Sequence, residues 1–131
     1  MLLSIDYGSK YIGLAVASLQ IKIATPYKTI QGENVPLLFE DLQKIILKQK
    51  ITQIIIGYPL SLSGKSSEQT EKTEDFIKQC KKEFDIPIII FDERFTSKMA
   101  NNLSSGKENH AVAASIILQD YIDREALSSD A

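Results

Sequence analysis

The first part of the chain alternates short apolar runs with polar or glycine-containing segments. The runs at 2–5 and 11–18 flank a segment that contains Gly8. This spacing predicts two strands of an antiparallel hairpin joined by a short loop. A third strand is predicted over 21–30, where Pro26 favours a bend or an edge position because proline cannot donate to the hydrogen-bond ladder.

The segment 34–50 has the period of an amphipathic helix. Asn34 suits the cap and Pro36 suits the first turn. The apolar positions predict one buried stripe formed by Leu38, Leu42, Ile45 and Ile46. The run at 51–57 that follows predicts a buried strand, because its consecutive isoleucines are β-branched.

The second half of the chain predicts further helices and one more strand. A serine-rich loop over 58–67 precedes a polar helix that ends near Phe84. A buried strand over 86–91 and a short helix over 96–103 follow, and the final helix covers 110–127 after a loop. This order predicts an α/β fold with a mixed sheet, in which strands joined through a helix run parallel.

Composition agrees with one globular domain over 1–131, with a frayed tail from about residue 126. No apolar run has the length of a membrane span and no secretory signal is recognisable, so we expect a cytoplasmic protein that does not associate with a membrane. The single cysteine, Cys80, has helical spacing from Phe76 and Phe84 and is interpreted as a core residue without chemistry.

The net charge of −2 and the pI of about 5.4 argue against a broadly basic surface that coats nucleic acid. They leave room for a local basic patch near the carboxyl edge of the sheet. Such a patch is a candidate for phosphate contacts, although each member is equally compatible with an ordinary solvated side chain. Its members are Lys10, Lys65, Arg94, Lys98 and Lys107.

Acidic residues occur where two of the predicted strands end. Asp6 follows the first apolar run, and Asp92 and Glu93 follow the last one. If both strands lie near the sheet centre, these carboxylates converge, and a cation is needed to offset their repulsion. Hard oxygen ligands suit Mg²⁺ or Mn²⁺. The alternative is structural, with Asp6 capping a loop and the later acids pairing with Arg94.

Four segments together resemble one known family. They are "SIDYGSKYIGLAVAS", "IIIGYPLSLSGKSS", "FDERFTSKMA" and "AVAASIILQDYID", which occur in this order over nearly the whole chain. They are similar to the YqgF (RuvX) family, which is associated with pre-16S rRNA processing and was earlier proposed to resolve Holliday junctions. The resemblance implies a ribonuclease H-like fold, with a five-stranded mixed sheet and helices on both faces.

The resemblance also implies a metal-dependent nuclease site made of three acids. Asp6 and Glu93 match two of these positions, and Asp92 belongs to the same motif as Glu93. At the third position, before "AVAA", the family usually has aspartate and this chain has His110. Imidazole can bind a metal or relay a proton but supplies no negative charge, which favours Mn²⁺ relative to Mg²⁺. Glu108 is a candidate for the missing carboxylate.

The resemblance therefore implies a metal-dependent endo- or exonuclease that processes the 5′ end of precursor 16S rRNA. The departure from the family at His110 makes reduced activity a further expectation, although it need not abolish the reaction. The expected partners are precursor rRNA, with structured DNA and a pre-ribosomal particle as further candidates, and the expected state is a monomer or weak dimer. Two alternatives remain open: a non-catalytic RNA-binding maturation factor, and a Holliday junction resolvase acting on DNA. An actin-like phosphotransferase ranks last, because that class encloses its nucleotide between two such domains.

Overall fold

The computed structural model describes residues 1–8, 10–58, 68–92 and 107–129, with the backbone alone at 68–70, 92, 107–109 and 126–129. The predictions for Lys65, Glu93, Arg94 and Lys98 lie outside these residues, as does the predicted short helix over 96–103.

Five strands form one mixed sheet, which confirms the predicted fold class. The strands are β1 (Leu2–Tyr7), β2 (Tyr11–Ala17), β3 (Thr25–Gln31), β4 (Gln53–Tyr58) and β5 (Ile88–Asp92). Their order across the sheet is β3-β2-β1-β4-β5. The first three strands are antiparallel neighbours, whereas β1, β4 and β5 run parallel. The carboxyl ends of β1, β4 and β5 therefore share one edge of the sheet.

Three helices are described: α1 (Val35–Lys48), α2 (Glu68–Glu83) and α3 (Lys107–Ser129). The side chain of Asn34 accepts a hydrogen bond from the Leu37 N–H and caps α1 as predicted. No helix in the described parts of the chain has both the length and the apolar character needed to cross a membrane.

The helices cover both faces of the sheet and bury two separate cores. On one face, α1 and α2 pack through Leu42 and Phe76 against Ile5, among others. On the other face, α3 packs through Ala114 and Leu118 against the alternate strand positions. This division follows the two-residue period of the strands. Cys80 lies fully buried in the first core, where burial raises the pKa of its thiol to about 12.

The edge position of β3 agrees with the prediction from Pro26. The β2–β3 register shifts between Leu14 and Ala15, where Leu14 faces Lys28 and Ala15 faces Pro26. Tyr27 is thus left over in β3, as in a bulge. Pro26 is tolerated here because one side of β3 has no neighbouring strand in the sheet.

The condition under which the acids would converge, that both acid-bearing strands lie near the sheet centre, is met by β1 and not by β5. β1 is central, but β5 is an edge strand, and the side chain of Ile90 is 47% exposed. Consecutive isoleucines signal a strand without revealing its lateral position, since an edge strand can carry the same run. Asp92 ends β5 at the same end of the parallel strands as Asp6. Because β4 lies between β1 and β5, these two strands are about 10 Å apart.

The final helix begins earlier than predicted. Its first residue is Lys107, so Lys107 and Glu108, predicted to lie in a loop, belong to its first turn. Polar residues are common in a first turn, where backbone N–H groups have no intrahelical partner. The apolar pattern starting at Ala111 therefore did not mark the true start of the helix.

Candidate active site

Asp6 lies near the carboxyl end of the central strand. It is the penultimate residue of β1 and pairs with Gly13 of β2. Its side chain is 21% exposed, and burial raises the pKa of its carboxyl group from 3.8 to about 6. β1 thus extends two residues beyond its predicted end at Ile5, which places Asp6 inside the hydrogen-bonded sheet.

His110 faces Asp6 from the first turns of α3. Its Nδ1 atom lies 3.9 Å from Asp6 Oδ2, and its side chain is 34% exposed. This distance is too long for a direct hydrogen bond but short enough for both groups to contact one bound species. The structure therefore brings together two of the site residues predicted from the sequence, one carboxylate and one imidazole.

Gly13 allows α3 to approach the sheet this closely. A Cβ atom added to Gly13 would overlap the backbone carbonyl group of His110. Because Gly13 is also the register partner of Asp6, the missing side chain lies directly beside the carboxylate. The close backbone approach at Gly13 is thus what sets His110 over Asp6.

Ser4 fixes the same helix one turn further along. Its Oγ atom donates a hydrogen bond of 2.6 Å to the carbonyl oxygen of Ala114, and its side chain is fully buried. Ser4 and Asp6 are two residues apart in β1 and therefore face the same side of the sheet. One strand thus supplies both an anchor for α3 and the carboxylate that α3 faces.

Tyr11 and Lys10 extend the site toward solvent. The Tyr11 ring lies 5.8 Å from the His110 ring, between centroids, and Lys10 Nζ lies 5.6 Å from the Tyr11 centroid. Lys10 was predicted from its sequence position, whereas Tyr11 was missed. The available signal was alternation along β2, because Tyr11 and Gly13 share the face that α3 covers.

The described residues supply only part of the predicted metal-binding set. They contain no group of three His, Cys, Asp or Glu side chains placed to hold one metal ion. Lys107 is the first residue of α3 and Asp92 is the last residue of β5. For both residues the structure describes the backbone position alone. The combination that the structure defines is therefore Asp6 with His110, flanked by Tyr11 and Lys10.

Solved structures with the same fold define the class of this protein. The RuvC protein of T. thermophilus in complex with a Holliday junction substrate matches with a TM-score of 0.63 at 11% identity, covering 95% of each chain. The resolvase of Fowlpox virus, in a complex with Holliday junction DNA, matches with a TM-score of 0.56 at 10% identity, covering 95% of this chain and 97% of that one. The chain therefore has the ribonuclease H-like fold of these resolvases.

Sequence comparison then gives the family. The RuvX family, described as "Holliday junction resolvase", matches residues 1–124. Proteins of Rickettsia africae and Rickettsia rickettsii, both named "Putative pre-16S rRNA nuclease", are 38% identical over alignments that cover 93% of this chain and 85% of each relative. This chain belongs to the RuvX family, as the sequence motifs indicated.

Proposed function

We propose that this protein is a nuclease that hydrolyses phosphodiester bonds in precursor 16S rRNA, with Asp6 and His110 in its active site. The observation that carries the proposal is the position of Asp6, a desolvated carboxylate at the carboxyl edge of the central strand, 3.9 Å from an imidazole. Ligands of open α/β sheets bind beyond this edge. Family membership and the names of the Rickettsia relatives support the reaction and the substrate.

The residues present fit a divalent cation at Asp6. Burial disfavours the charge of this carboxylate, and a cation would reverse that effect by stabilising the ionised form. The donor set of one carboxylate oxygen and one imidazole nitrogen favours Mn²⁺ over Mg²⁺, whose site consists of oxygen ligands. When bound, the ion would activate water for attack on phosphorus and neutralise developing charge. Glu93, and Asp92 beside it, are proposed to complete the ligand set.

The remaining roles belong to side chains of this chain. Asp6, in its ionised form, would hold the cation at the end of β1, where the sheet keeps the carboxylate fixed. His110 would contact the same centre through Nδ1 or move a proton to or from the reacting water. Lys10, whose Nζ lies beside the Tyr11 ring, is proposed to contact a phosphate of the bound strand, and a contact of this kind positions the substrate without reading its sequence.

We propose corresponding phosphate contacts for the other basic residues predicted from the sequence: Lys65, Arg94, Lys98 and Lys107. The acidic net charge indicates that such contacts form a narrow rim around the site and do not cover the whole surface. A pre-ribosomal particle is therefore the proposed setting, since it would supply additional contacts to a weakly binding enzyme. We further propose that the protein acts in the cytoplasm as a monomer or weak dimer.

A DNA junction is the second candidate substrate. The observation in its favour is the shared fold with resolvases solved with Holliday junctions. A competition assay separates the two: labelled precursor rRNA is cleaved in the presence of unlabelled four-way junction or unlabelled precursor. We expect unlabelled precursor to inhibit at lower concentration than the junction. The reverse order would favour the resolvase function.

The proposed function is tested by cleavage of a precursor 16S rRNA fragment with Mg²⁺, with Mn²⁺ and with EDTA. We expect product with a metal, more with Mn²⁺ than with Mg²⁺, and none with EDTA. Product formation that is unaffected by EDTA would refute the metal-dependent reaction. RNA binding without product under any condition would favour the non-catalytic maturation factor.

His110→Asp tests whether the histidine limits activity. This variant restores the acid usual in the family and adds a negative charge beside Asp6, so we expect increased Mg²⁺-dependent cleavage. Asp120→Asn, a charge change further along α3, serves as the control and should leave cleavage unchanged. A loss of activity in His110→Asp would show that the imidazole has a role that a carboxylate cannot fill.

A further inference from the structure

A cavity lies at the same edge of the sheet as Asp6, on the face covered by α1 and α2. Its volume is about 440 Å³, and it is lined by the end of β1, the segment before α1, and both helices. Ligand sites in proteins combine an apolar, concave floor with a few convergent polar groups. This cavity has both features within the described part of the chain.

The floor of the cavity is aromatic. The rings of Tyr7 and Phe76 are stacked, with centroids 4.6 Å apart and an angle of 17° between their planes. Phe39 packs against Phe76 at 5.6 Å between centroids. Phe76 and Phe39 are buried, with 5% and 8% of their surfaces exposed, so the partly buried Tyr7 is the most exposed of the three rings. An aromatic surface of this kind favours a planar ring ligand, since stacked rings gain free energy beyond the burial of area.

Among the residues that the structure describes, those at the rim of the cavity carry a net negative charge. Glu33 and Asp75 contribute carboxylates, Lys72 contributes one ammonium group, and Gln79 contributes a neutral amide. This balance disfavours a phosphate group inside the cavity. Carboxylates instead accept hydrogen bonds from amino groups, as they do from the exocyclic amino group of cytosine. The rim therefore favours an uncharged ring with hydrogen-bond donors.

The cavity is adjacent to the candidate active site through β1. Tyr7 follows Asp6 directly in the chain, and alternation along the strand turns the two side chains toward opposite faces of the sheet. A strand bound across this edge with a phosphate at Asp6 would have a neighbouring nucleotide next to the cavity.

We propose that this cavity binds one nucleobase of the strand held at Asp6, with a preference for bases that carry an exocyclic amino group. The base would stack on the ring of Tyr7, which Phe76 supports from behind, and the carboxylate of Asp75 would accept a hydrogen bond from the amino group. Cytosine and adenine meet this requirement, whereas uracil lacks the amino group. The inference rests on the proposed function for the source of the base.

The test is an NMR titration of the metal-free protein with cytidine, adenosine and uridine. We expect the ring signals of Phe39 and Phe76 to shift on binding. We also expect cytidine and adenosine to bind about threefold more tightly than uridine, because each gains one hydrogen bond to an exposed carboxylate. No shift of these signals, shifts confined to Tyr11 and His110, or equal affinity for the three nucleosides would overturn the proposal.

Two variants of α2 make the test specific. Asp75→Asn removes the accepting carboxylate at the cavity and should abolish the preference over uridine. Glu71→Gln neutralises an exposed acid of the same helix outside the cavity and should preserve the preference. An unchanged preference in Asp75→Asn would contradict the assignment. Since the titration uses neither metal nor a cleavable substrate, its failure is distinguishable from a failure of cleavage at Asp6.

Discussion

At the scale of single residues, the carboxylate of Asp6 is held where its own charge is disfavoured. Burial raises its pKa to about 6, so the folded protein without metal stabilises the protonated form. A bound cation would offset the cost of burying this charge, which accounts for an aspartate at a largely buried position. Two measurable consequences follow from the direction of this pKa shift.

The first concerns stability without metal. The pKa of Asp6 is about 6 in the folded state, compared with the usual 3.8 expected of the unfolded chain. Between pH 3.8 and pH 6 the folded state therefore binds more protons than the unfolded state, and the free energy of unfolding falls as the pH rises. The difference of about two pKa units corresponds to about 3 kcal/mol as an upper value. Asp6→Asn, which cannot ionise, should therefore be more stable than wild type at pH 7.5 and close to it at pH 4.

This difference is measured by urea unfolding in EDTA at the two pH values. Asp85→Asn, an exposed acid before β5, is the matched control and should change stability little at either pH. If Asp6→Asn were less stable than wild type at pH 7.5, a partner would be stabilising the ionised carboxylate. The cost of desolvating Asp6 would then not be the main contribution of this residue to stability.

The second consequence concerns metal binding. A cation binds the ionised carboxylate, so protons compete with it below pH 6. At pH 5 about one Asp6 in ten is ionised in the metal-free protein, so the protonation of Asp6 alone should lower the Mn²⁺ affinity about tenfold relative to pH 7.5. The rise in Tm with Mn²⁺ concentration measures this affinity at each pH. Equal affinity at both values would exclude Asp6 as the titrating ligand.

At the scale of elements, the contact between α3 and β2 determines the geometry of the site. Gly13 lets the His110 backbone reach the sheet, and the hydrogen bond from Ser4 to Ala114 holds the next turn. The position of His110 relative to Asp6 therefore depends on two small residues in the strands, Gly13 and Ser4.

Gly13→Ala tests this dependence. The added methyl group would overlap the His110 carbonyl, so α3 must move, and we expect a loss of more than about 2 kcal/mol in unfolding free energy. Ala15→Gly removes a side chain from the same face of β2 and should cost only about 1 kcal/mol. Urea denaturation compares the two variants. A smaller loss in Gly13→Ala than in Ala15→Gly would contradict the proposed role of the contact.

The elements also show which features the sequence could predict. The stripe of α1, the edge position of β3 and the hairpin of β1 and β2 follow from local periodicity and proline chemistry, and all are confirmed. The edge position of β5 was not predictable from its isoleucines, because lateral order depends on long-range pairing. Tyr11 was missed for a related reason, since its contact with His110 requires the packing of α3 on β2.

At the scale of the whole molecule, one sheet edge carries both proposed sites, on opposite faces. Asp6 and His110 lie on the face of α3, and the cavity with the Tyr7–Phe76 stack lies on the face of α1 and α2. A strand that crosses this edge would meet the chemistry and the base-binding surface together. The sequence indicated Asp6 through its strand-end position, but only the family resemblance pointed to His110.

The dependence of cleavage on Asp6 as the metal-binding residue can be measured. It is tested most directly by measuring Mn²⁺-dependent cleavage of precursor 16S rRNA and the Mn²⁺-induced rise in Tm for wild type, Asp6→Asn and Asp85→Asn. We predict that Asp6→Asn loses the rise in Tm and at least about 100-fold in cleavage rate, while Asp85→Asn keeps both. Equal cleavage by wild type and Asp6→Asn would contradict this dependence.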